Sequence, residues 1–385
     1  MIIYTNVTRG GKATNITFVA MKTMRLLHVT ATHLNLSGGI PVVLKNLINA
    51  QNKIEGFEAR VLSVVADVSE MDSEHFRFYY LGNKSFKEYI RGFCPDVVIF
   101  HSHYYFEYLK FYKTLIKLGI PYFIEPHGSF GTAALKKSKY KKLAANHLVL
   151  RSFMKKAKGY IFLNESERSD SKYCSLCDLV IPNGINADEI VAEYVPQEDW
   201  AFYFIGRFDI NHKGLDYLLD ALDILEQKGA VIRMEFYGTG SEESIDYINN
   251  RIRDYRSLKV TNCGPIYGDA QKKLLERHGI MLLTSRYEGF PMTVLEAWKY
   301  GNPCLVTEGT NVMDEVVAQG LGWGTDLDSR SIADAILRAQ NEYSDRKEEY
   351  ILGCKTYVKN TYSWSRIAQL SYDRLSEACS IGGKL

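Results

Sequence analysis

The sequence predicts an α/β protein made of two doubly wound parallel-sheet domains. Its 385 residues are about twice the length of a typical domain. Short apolar stretches of strand length alternate along the chain with longer amphipathic segments, a pattern typical of parallel strands joined by helices. Apolar residues make up 46% of the chain, which is sufficient for two hydrophobic cores.

The apolar stretches predict two sets of strands. The first set falls near 24–30, 59–65, 96–101, 121–125, 158–163 and 178–181, and the second near 200–205, 230–236, 258–262, 280–284 and 303–306. A polar stretch that follows Asn183-Gly184 and ends at Pro196 separates the two sets. A final helix is expected to begin within 362–367, with Ser363 as its N-cap.

Composition argues against several classes of protein. A net charge of +2 argues against nucleic-acid binding by the chain as a whole. The seven cysteines include one C-x-x-C pair, Cys174 and Cys177, with no second pair to complete a zinc site, so we expect reduced thiols in a cytoplasmic protein. No apolar run approaches the length of a membrane span, and no secretory signal is recognised. Residues 1–23 precede the first strand and are interpreted as an appendage without a catalytic role.

The most informative segment is 280–306, which predicts a buried strand, a glycine-proline turn, a helix over Met292–Tyr300 and another strand. Glu288 stands at the turn, and Glu296 lies one turn into the helix. The N-terminus of a helix favours a phosphate, and flanking carboxylates accept hydrogen bonds from hydroxyl groups. A sugar nucleotide would satisfy both preferences.

A second segment, 200–219, places Gly206-Arg207 at the end of an apolar strand and Lys213-Gly214 at the start of a helix. Doubly wound sheets bind ligands at such positions, and both cations favour phosphate oxygens. Ordinary surface cations are the alternative. No Asp-x-Asp motif is present, so the sequence implies no catalytic metal.

The N-terminal half offers a glycine turn and three histidines. Gly38 and Gly39 would let the backbone approach a phosphate or sugar, and Pro41 is expected at the first helical position. His127 ends a predicted strand, where a structural hydrogen bond is the alternative role. His101 and His103 end another strand, where one could line an acceptor cleft or both could be structural.

Together these segments resemble glycosyltransferase family 4, the retaining transferases of GT-B fold. The family signature is two glutamates with seven residues between them and usually Gly-Phe after the first, as in Glu288 to Glu296 here. The resemblance runs from Met24 onward and implies two Rossmann-like domains that face a central cleft. It assigns 24–190 plus 357–385 to the acceptor and 191–356 to the donor. Many members have an aspartate after the histidine, whereas Gly128 follows His127 here.

The resemblance also implies roles for individual residues. Arg207 and Lys213 clamp the donor diphosphate, which Gly38 and Gly39 face across the cleft. Glu288 holds hydroxyls of the donor sugar, Glu296 holds the ribose, and His127 contacts the donor sugar and helps to position the acceptor. The other donor-binding residues it implies are Gly206, Gly238, Gly240, Pro265, Ile266, Gly289, Phe290, Pro291, Thr293 and Val294.

The expected function is therefore retaining transfer of a hexosyl unit from a nucleoside-diphosphate sugar to a sugar acceptor, without a cofactor. Uridine diphosphate is the expected leaving group, a lipid-linked sugar the expected acceptor, and a bacterial surface polysaccharide the expected product, all by resemblance. Two alternatives stay open. One is a sugar-nucleotide 2-epimerase of GT-B fold, and the other is a sugar-nucleotide-binding protein without catalysis.

One region has a strong charge bias. Residues 126–164 contain no aspartate or glutamate, but they contain Lys136, Lys137, Lys139, Lys141, Lys142, Arg151, Lys155, Lys156 and Lys158. Each basic group near an anionic bilayer contributes on the order of 1 kcal/mol of attraction. The region is interpreted as a peripheral contact with the inner membrane face, beside a polyprenyl-diphosphate-linked acceptor. A solvated helix face and a nucleic-acid surface are the alternatives.

Overall fold

The computed structural model describes residues 23–31, 39–64, 78–82, 85–131, 149–187, 190 and 200–380. The strands of the first sheet are β1 (Met24–Thr30), β2 (Phe57–Ser63), β3 (Phe78–Tyr80), β4 (Val97–His101), β5 (Tyr122–Glu125), β6 (Gly159–Phe162) and β7 (Leu179–Val180). Their order across the sheet is β3-β2-β1-β4-β5-β6-β7. β1 pairs in parallel with both β2 and β4, with His28 opposite Val61 and Ile99.

The second sheet is also parallel. Its strands are β8 (Phe202–Ile205), β9 (Arg233–Tyr237), β10 (Lys259–Gly264), β11 (Ile280–Leu283), β12 (Cys304–Thr307) and β13 (Gly322–Thr325), in the order β10-β9-β8-β11-β12-β13. Two parallel sheets alternating with helices confirm the predicted fold class.

The helices join these strands. In the N-terminal half they are α1 (Gly39–Gln51), α2 (Phe86–Phe93), α3 (Tyr108–Leu118), α4 (Arg151–Lys156) and α5 (Glu165–Asp170). The rest are α6 (Leu215–Gln227), α7 (Glu242–Ile252), α8 (Gly268–Leu275), α9 (Met292–Lys299), α10 (Met313–Ala318), α11 (Ser329–Tyr362) and α12 (Trp364–Ser380). α11 contains a kink at Arg346, whose φ of −122° and ψ of 26° are not helical. No helix in the part of the chain described here is long and apolar enough to cross a bilayer.

Each of the eleven predicted strands is present, with ends shifted by up to three residues. They were predictable because strands such as β4 and β11 are buried along their whole length and read as continuous apolar runs. The sequence did not predict β3 or β13. β3 has only three residues, and β13 contains Gly322 and Gly324, a residue type depleted in strands.

The start of α1 differs from the prediction. The helix begins at Gly39, so Pro41 is its third residue rather than its first. Proline is tolerated there because the first-turn N–H groups of a helix have no partner within that helix. By contrast, the predicted cap of the last helix is confirmed, since Arg366 N–H donates to Ser363 Oγ at 3.4 Å.

The described residues divide into two compact units. One comprises the described residues up to Ile124, Phe153–Lys158 and those from Ser371 onward, and the other comprises those of Glu125–Ser152 and Gly159–Leu370. The predicted domains, 24–190 plus 357–385 and 191–356, have different boundaries and stay a prediction.

Helix α12 contributes to the core of the first unit. Gln51 Nε2 donates to Ser371 Oγ at 3.1 Å, and the rings of Phe57 and Tyr372 meet edge to face at 5.2 Å. Ser376 Oγ also lies 3.7 Å from Met24 Sδ. Residues more than 300 positions apart in sequence therefore complete one core.

A buried polar chain crosses the same unit. His28 Nδ1 lies 2.8 Å from His101 Nε2, and His28 Nε2 lies 3.1 Å from Gln51 Oε1. Burial lowers the pKa of His28 to about 4, so its imidazole is neutral at neutral pH. His101 thus has a structural partner in His28, which agrees with the structural role that was one of the two alternatives for this histidine.

Candidate active site

The second sheet has a topological switch point between β8 and β11. These strands pair with each other, while the chain continues from β8 to β9 on one side and from β11 to β12 on the other. In open α/β sheets the crevice at the carboxyl ends of such strands is where ligands bind. The loops that follow are 206–214 after β8 and 284–291 after β11.

Several contacts fasten these two loops together. Arg286 makes a two-pronged ion pair with Asp216, at 2.8 and 2.6 Å, and its backbone N–H donates to His212 O at 2.9 Å. The His212 ring stacks on Tyr287 with centroids 4.3 Å apart, and its Nε2 lies 2.8 Å from Tyr287 O. Fork-shaped pairing of arginine with a carboxylate fixes orientation as well as distance, so both loops share one geometry.

Gly214 makes this close approach possible. Its φ is +62°, and a Cβ added there would lie 2.0 Å from the carbonyl oxygen of Thr284. Thr284 Oγ1 in turn donates to Lys213 O at 3.1 Å. The glycine therefore sets the backbone of Lys213 against the end of β11.

The structure brings together two of the predicted catalytic residues, Lys213 and Glu288. Lys213 Nζ lies 2.6 Å from Glu288 Oε1, and the two side chains are only 16% and 12% exposed. Ser285 Oγ also donates to Glu288 Oε1, and Asn311 Nδ2 donates to Glu288 O at 2.6 Å. A half-buried ammonium at a switch point is suited to neutralise an anion, and its carboxylate partner is suited to accept hydroxyl donors.

Arg207 differs from Lys213 in its surroundings. Its side chain is 66% exposed, and its ion pair with Asp209 is long, at 3.5 Å. An exposed pair of this kind contributes little to stability, so the guanidinium could exchange Asp209 for a phosphate at low cost.

Helix α9 begins directly after the Glu288 loop, with Pro291 at its N-cap. The Val294 N–H donates to Pro291 O at 3.0 Å, so a phosphate would share this amide with a backbone carbonyl. Glu296 accepts a hydrogen bond from Gln271 Nε2 at 2.9 Å, and burial raises the pKa of its carboxyl group. One carboxylate oxygen of Glu296, Oε2, is thus bonded to Gln271. Thr293 is half-buried beside it.

The predicted glycines of the β8 and β9 loops have a packing role. Gly206 N–H donates to Tyr237 O at 3.0 Å, and a Cβ on Gly238 would lie 1.8 Å from Gly206 O. A Cβ on Gly240 would lie 2.6 Å from Phe208 O. Pro265 is exposed and Ile266 is half-buried, just after β10. Their contact with a donor stays a prediction.

His127 lies in a turn after β5 with an unusual backbone. Its φ is +49° and that of Gly128 is +77°. Burial lowers the pKa of His127 to about 4, and burial, followed by the charge of Glu167, raises the pKa of Glu125 to about 8. Although His127 Nδ1 lies 3.5 Å from Glu125 Oε1, we therefore expect a neutral imidazole beside a protonated carboxyl group at neutral pH.

The turn after His127 packs against the residue after Glu288. A Cβ added to Gly128 would lie 3.3 Å from Gly289 Cα, and Asn164 Nδ2 donates to Gly289 O at 3.1 Å. The next side chain, Phe290, packs on the Tyr362 ring with centroids 5.7 Å apart. His127 and the Glu288 loop thus belong to one neighbourhood.

Some predicted residues fall elsewhere. Gly38 and the lysines from Lys136 to Lys142 lie outside the described residues, and Gly39 begins α1. In α4 the cations Lys155 and Lys156 are exposed, whereas Phe153 is buried.

The sequence reading missed Asn164, Glu167, Asp216 and Arg286. Asn164 followed three residues later by Glu167 fits the sequence pattern of a helix N-terminus, so that turn could have been located. The long-range partners of these residues could not be predicted, because they lie 39 to 125 positions away in the sequence.

Two parallel sheets alternating with helices define an α/β protein of the GT-B class. A family model described as "Glycosyl transferases group 1" matches residues 200–342, and a second, "Glycosyltransferase Family 4", matches residues 37–189. The chain belongs to this glycosyltransferase family, which confirms the resemblance drawn from its motifs.

Curated relatives and solved structures agree with this membership. An uncharacterised glycosyltransferase of Methanocaldococcus jannaschii is 30% identical over 179 residues, 46% of this chain and 44% of that protein. A lipopolysaccharide 1,6-galactosyltransferase of Escherichia coli K12 is 30% identical over 125 residues, 31% of this chain and 33% of that protein. The chain thus spans less than half the length of these relatives. Sucrose-phosphate synthase from Thermosynechococcus elongatus shares the fold, with a TM-score of 0.67 at 17% identity, over 93% of this chain and 100% of that one.

Proposed function

We propose that this chain transfers a hexosyl unit from a nucleoside-diphosphate sugar to a sugar acceptor, with retention at the anomeric carbon. The observation that carries the proposal is the half-buried Lys213–Glu288 pair at the switch point of the second sheet. A cation placed there suits the diphosphate of the donor, and the carboxylate beside it suits the hydroxyls of the donor sugar.

The pair offers a simple sequence of events on donor binding. An arriving diphosphate competes with Glu288 for Lys213, and the carboxylate then accepts hydroxyl donors of the sugar in place of the ammonium. Arg207 and Lys213 oppose the negative charge that grows on the diphosphate as the bond from the anomeric carbon to its oxygen breaks. The acceptor oxygen forms its bond on the same face, and its proton passes to the departing phosphate oxygen. No protein nucleophile is required.

His127 fits a supporting role in this scheme. A neutral imidazole can donate a hydrogen bond from one nitrogen and accept one at the other, which suits neutral hydroxyl partners. Keeping it uncharged also avoids adding a further cation to Arg207 and Lys213 near the anomeric carbon, where positive charge develops as the leaving group departs.

We further propose uridine diphosphate as the leaving group and a lipid-linked sugar of a bacterial surface polysaccharide as the acceptor. The similarity to lipopolysaccharide galactosyltransferases supports a hexose and a surface glycan. The basic region from Lys136 to Lys158 would hold the chain peripherally on an anionic membrane. Cosedimentation with phosphatidylglycerol vesicles tests this contact, which salt and the double change Lys155→Glu, Lys156→Glu should weaken.

The donor is tested by thermal shift and hydrolysis with UDP-glucose, UDP-galactose, GDP-mannose and ADP-glucose. We expect one nucleotide to stabilise the protein and one of its sugars to be hydrolysed slowly. Lys213→Ala should lower that turnover by about 10²–10³-fold, the usual cost of losing a charge-stabilising group. The matched control is Lys228→Ala, since Lys228 is an exposed lysine paired with Asp334 at 3.2 Å.

The same screen separates the alternatives. No response to any of the four donors, or Lys213→Ala equal to Lys228→Ala, would contradict the proposal. Formation of an epimeric nucleotide sugar without an acceptor would indicate the 2-epimerase. Tight donor binding without turnover on any acceptor would indicate a non-catalytic binding protein. The anomeric configuration of a transferred sugar, read by NMR, tests retention.

A further inference from the structure

We propose that Asn164 and Glu167, at the start of α5, are positioning residues that hold the His127 turn and the Glu288 loop in one arrangement. This inference rests on the proposed function, because it concerns the same site. It adds two residues that contact neither the donor diphosphate nor the reacting atoms in the scheme above.

Glu167 binds the backbone of the segments that follow β5 and β6 with one carboxylate. Its Oε1 accepts the Gly128 N–H at 2.6 Å and its Oε2 accepts the Leu163 N–H at 2.7 Å, while the residue is 3% exposed. Gly128 directly follows His127, and Leu163 follows β6. The left-handed backbone of His127 is a conformation that a non-glycine residue keeps only when its surroundings hold it, and the buried carboxylate, bonded to the next residue, does so here.

Asn164 uses both ends of its side-chain amide. Its Oδ1 accepts the Glu167 N–H at 2.6 Å, which caps α5, and its Nδ2 donates to Gly289 O at 3.1 Å. The turn that carries His127 and the loop that carries Glu288 are therefore both bonded to the first turn of the same short helix. The close approach of Gly128 to Gly289 shows that the two backbones meet there.

The chemistry of these two side chains exceeds what a helix cap needs. Aspartate and serine cap a helix as well as asparagine does, but neither has an N–H donor for Gly289. A glutamine at 167 would offer one acceptor oxygen for two amides and would leave one buried N–H facing an NH₂ group. Asn164 and Glu167 therefore supply the hydrogen-bond donor for the Glu288 loop and the acceptor for the His127 turn at the same time.

The test compares Asn164→Asp, Asn164→Ser and Glu167→Gln with Glu165→Gln, a control on the same helix whose side chain is 67% exposed. The donor is whichever of UDP-glucose, UDP-galactose, GDP-mannose and ADP-glucose the wild type hydrolyses. We expect the Asn164 variants to keep their Tm and the KM for donor within about twofold, because the cap oxygen and the diphosphate clamp remain. Their kcat should fall at least tenfold, since the Glu288 loop is no longer held to the His127 turn.

Hydrogen exchange gives a readout that does not depend on turnover. Peptides covering 285–295 should exchange faster in Asn164→Asp than in wild type, and those covering 127–131 faster in Glu167→Gln. Unchanged exchange in both segments, or kcat equal to that of Glu165→Gln, would overturn the positioning role. A loss of kcat that parallels a loss of Tm would assign only a structural role. A wild type that turns over no donor would instead contradict the proposed function, while the exchange data would still decide the coupling between the loops.

Discussion

At the residue scale, the position of Lys213 depends on the glycine that follows it. Gly214 combines a left-handed backbone with a carbonyl oxygen 2.0 Å from where a Cβ would sit. A side chain there would both strain the backbone and push the 206–214 loop away from β11. The position of Lys213 thus requires a residue without a side chain at 214.

We expect Gly214→Ala to destabilise the protein by about 2–4 kcal/mol, since left-handed strain and steric overlap add. The control is Gly229→Ala, because Gly229 has a similar φ of +67° but no atom within 4 Å of an added Cβ. That variant should lose only about 1 kcal/mol, the cost of the backbone conformation. Urea denaturation measures both, and equal losses would show that the contact with Thr284 does not matter.

The residues of the site differed in how far the sequence could predict them. Lys213 and Glu288 were predictable because each follows an apolar strand and stands beside glycine in a recognisable spacing. Their pairing at 2.6 Å was not, since it depends on β8 and β11 lying side by side. Asn164 and Glu167 carried only a helix-start pattern, and no local signal points to Gly289 or Gly128.

At the element scale, one carboxylate joins α10 to the end of α11. Glu315 Oε1 accepts the hydroxyls of Tyr357, at 2.6 Å, and of Tyr362. The Tyr362 ring in turn contacts Phe290 and Trp298, at centroid distances of 5.7 and 6.3 Å. The loop that carries Glu288 therefore rests on the last turn of a long helix.

Tyr362→Phe should lower the free energy of unfolding by about 1.5–3 kcal/mol, the usual contribution of a hydrogen bond to a charged group. The ring remains, so the contact with Phe290 and donor turnover should change little. Tyr267→Phe serves as the control, because that tyrosine is 72% exposed. If chemical denaturation gave the two variants the same stability, the hydrogen bond from Tyr362 to Glu315 would be energetically unimportant.

Strands were easier to predict than their order. Burial on both faces makes a central parallel strand a run of apolar residues, so β8 and β11 were recognisable from composition alone. Which strands are neighbours depends on crossover connections, and this order was not predicted from the residues. The edge strands β3 and β13 gave the weakest signal because they are short or rich in glycine.

At the scale of the whole molecule, buried histidines contribute to the response to acid. Burial lowers the pKa of His28, His127 and His278 to about 4 each, from an ordinary value of 6.5. Between these values the unfolded chain binds protons that the folded chain does not, so stability falls as pH falls from 6.5 to 4. Glu125 acts in the opposite sense, since its raised pKa, about 8, makes stability fall as pH rises from 4.5 to 8.

Between pH 6.5 and 4.5 each of these three histidines lowers the free energy of unfolding on acidification, whereas the raised pKa values of Glu125, Glu167 and Glu296 oppose that decrease. Each net proton contributes on the order of 1.4 kcal/mol per pH unit. His28→Gln should remove one of the contributions that make stability rise with pH in this range, whatever its effect on stability at pH 7. Denaturation at half-unit steps of pH measures the slopes, and parallel curves for wild type and variant would contradict the role of His28.

The contribution of α12 to the first core has a consequence for synthesis. Three residues of the first core have partners in α12, which is synthesised near the end of the described chain. The pairs are Gln51 with Ser371, Phe57 with Tyr372, and Met24 with Ser376. About 250 residues separate Ile124 from Ser371. At about 5–20 residues per second, the nascent first unit stays unfinished for roughly ten to fifty seconds. During that interval the apolar face that α12 later covers is exposed. We therefore expect chaperones to bind the beginning of this chain in preference to its middle.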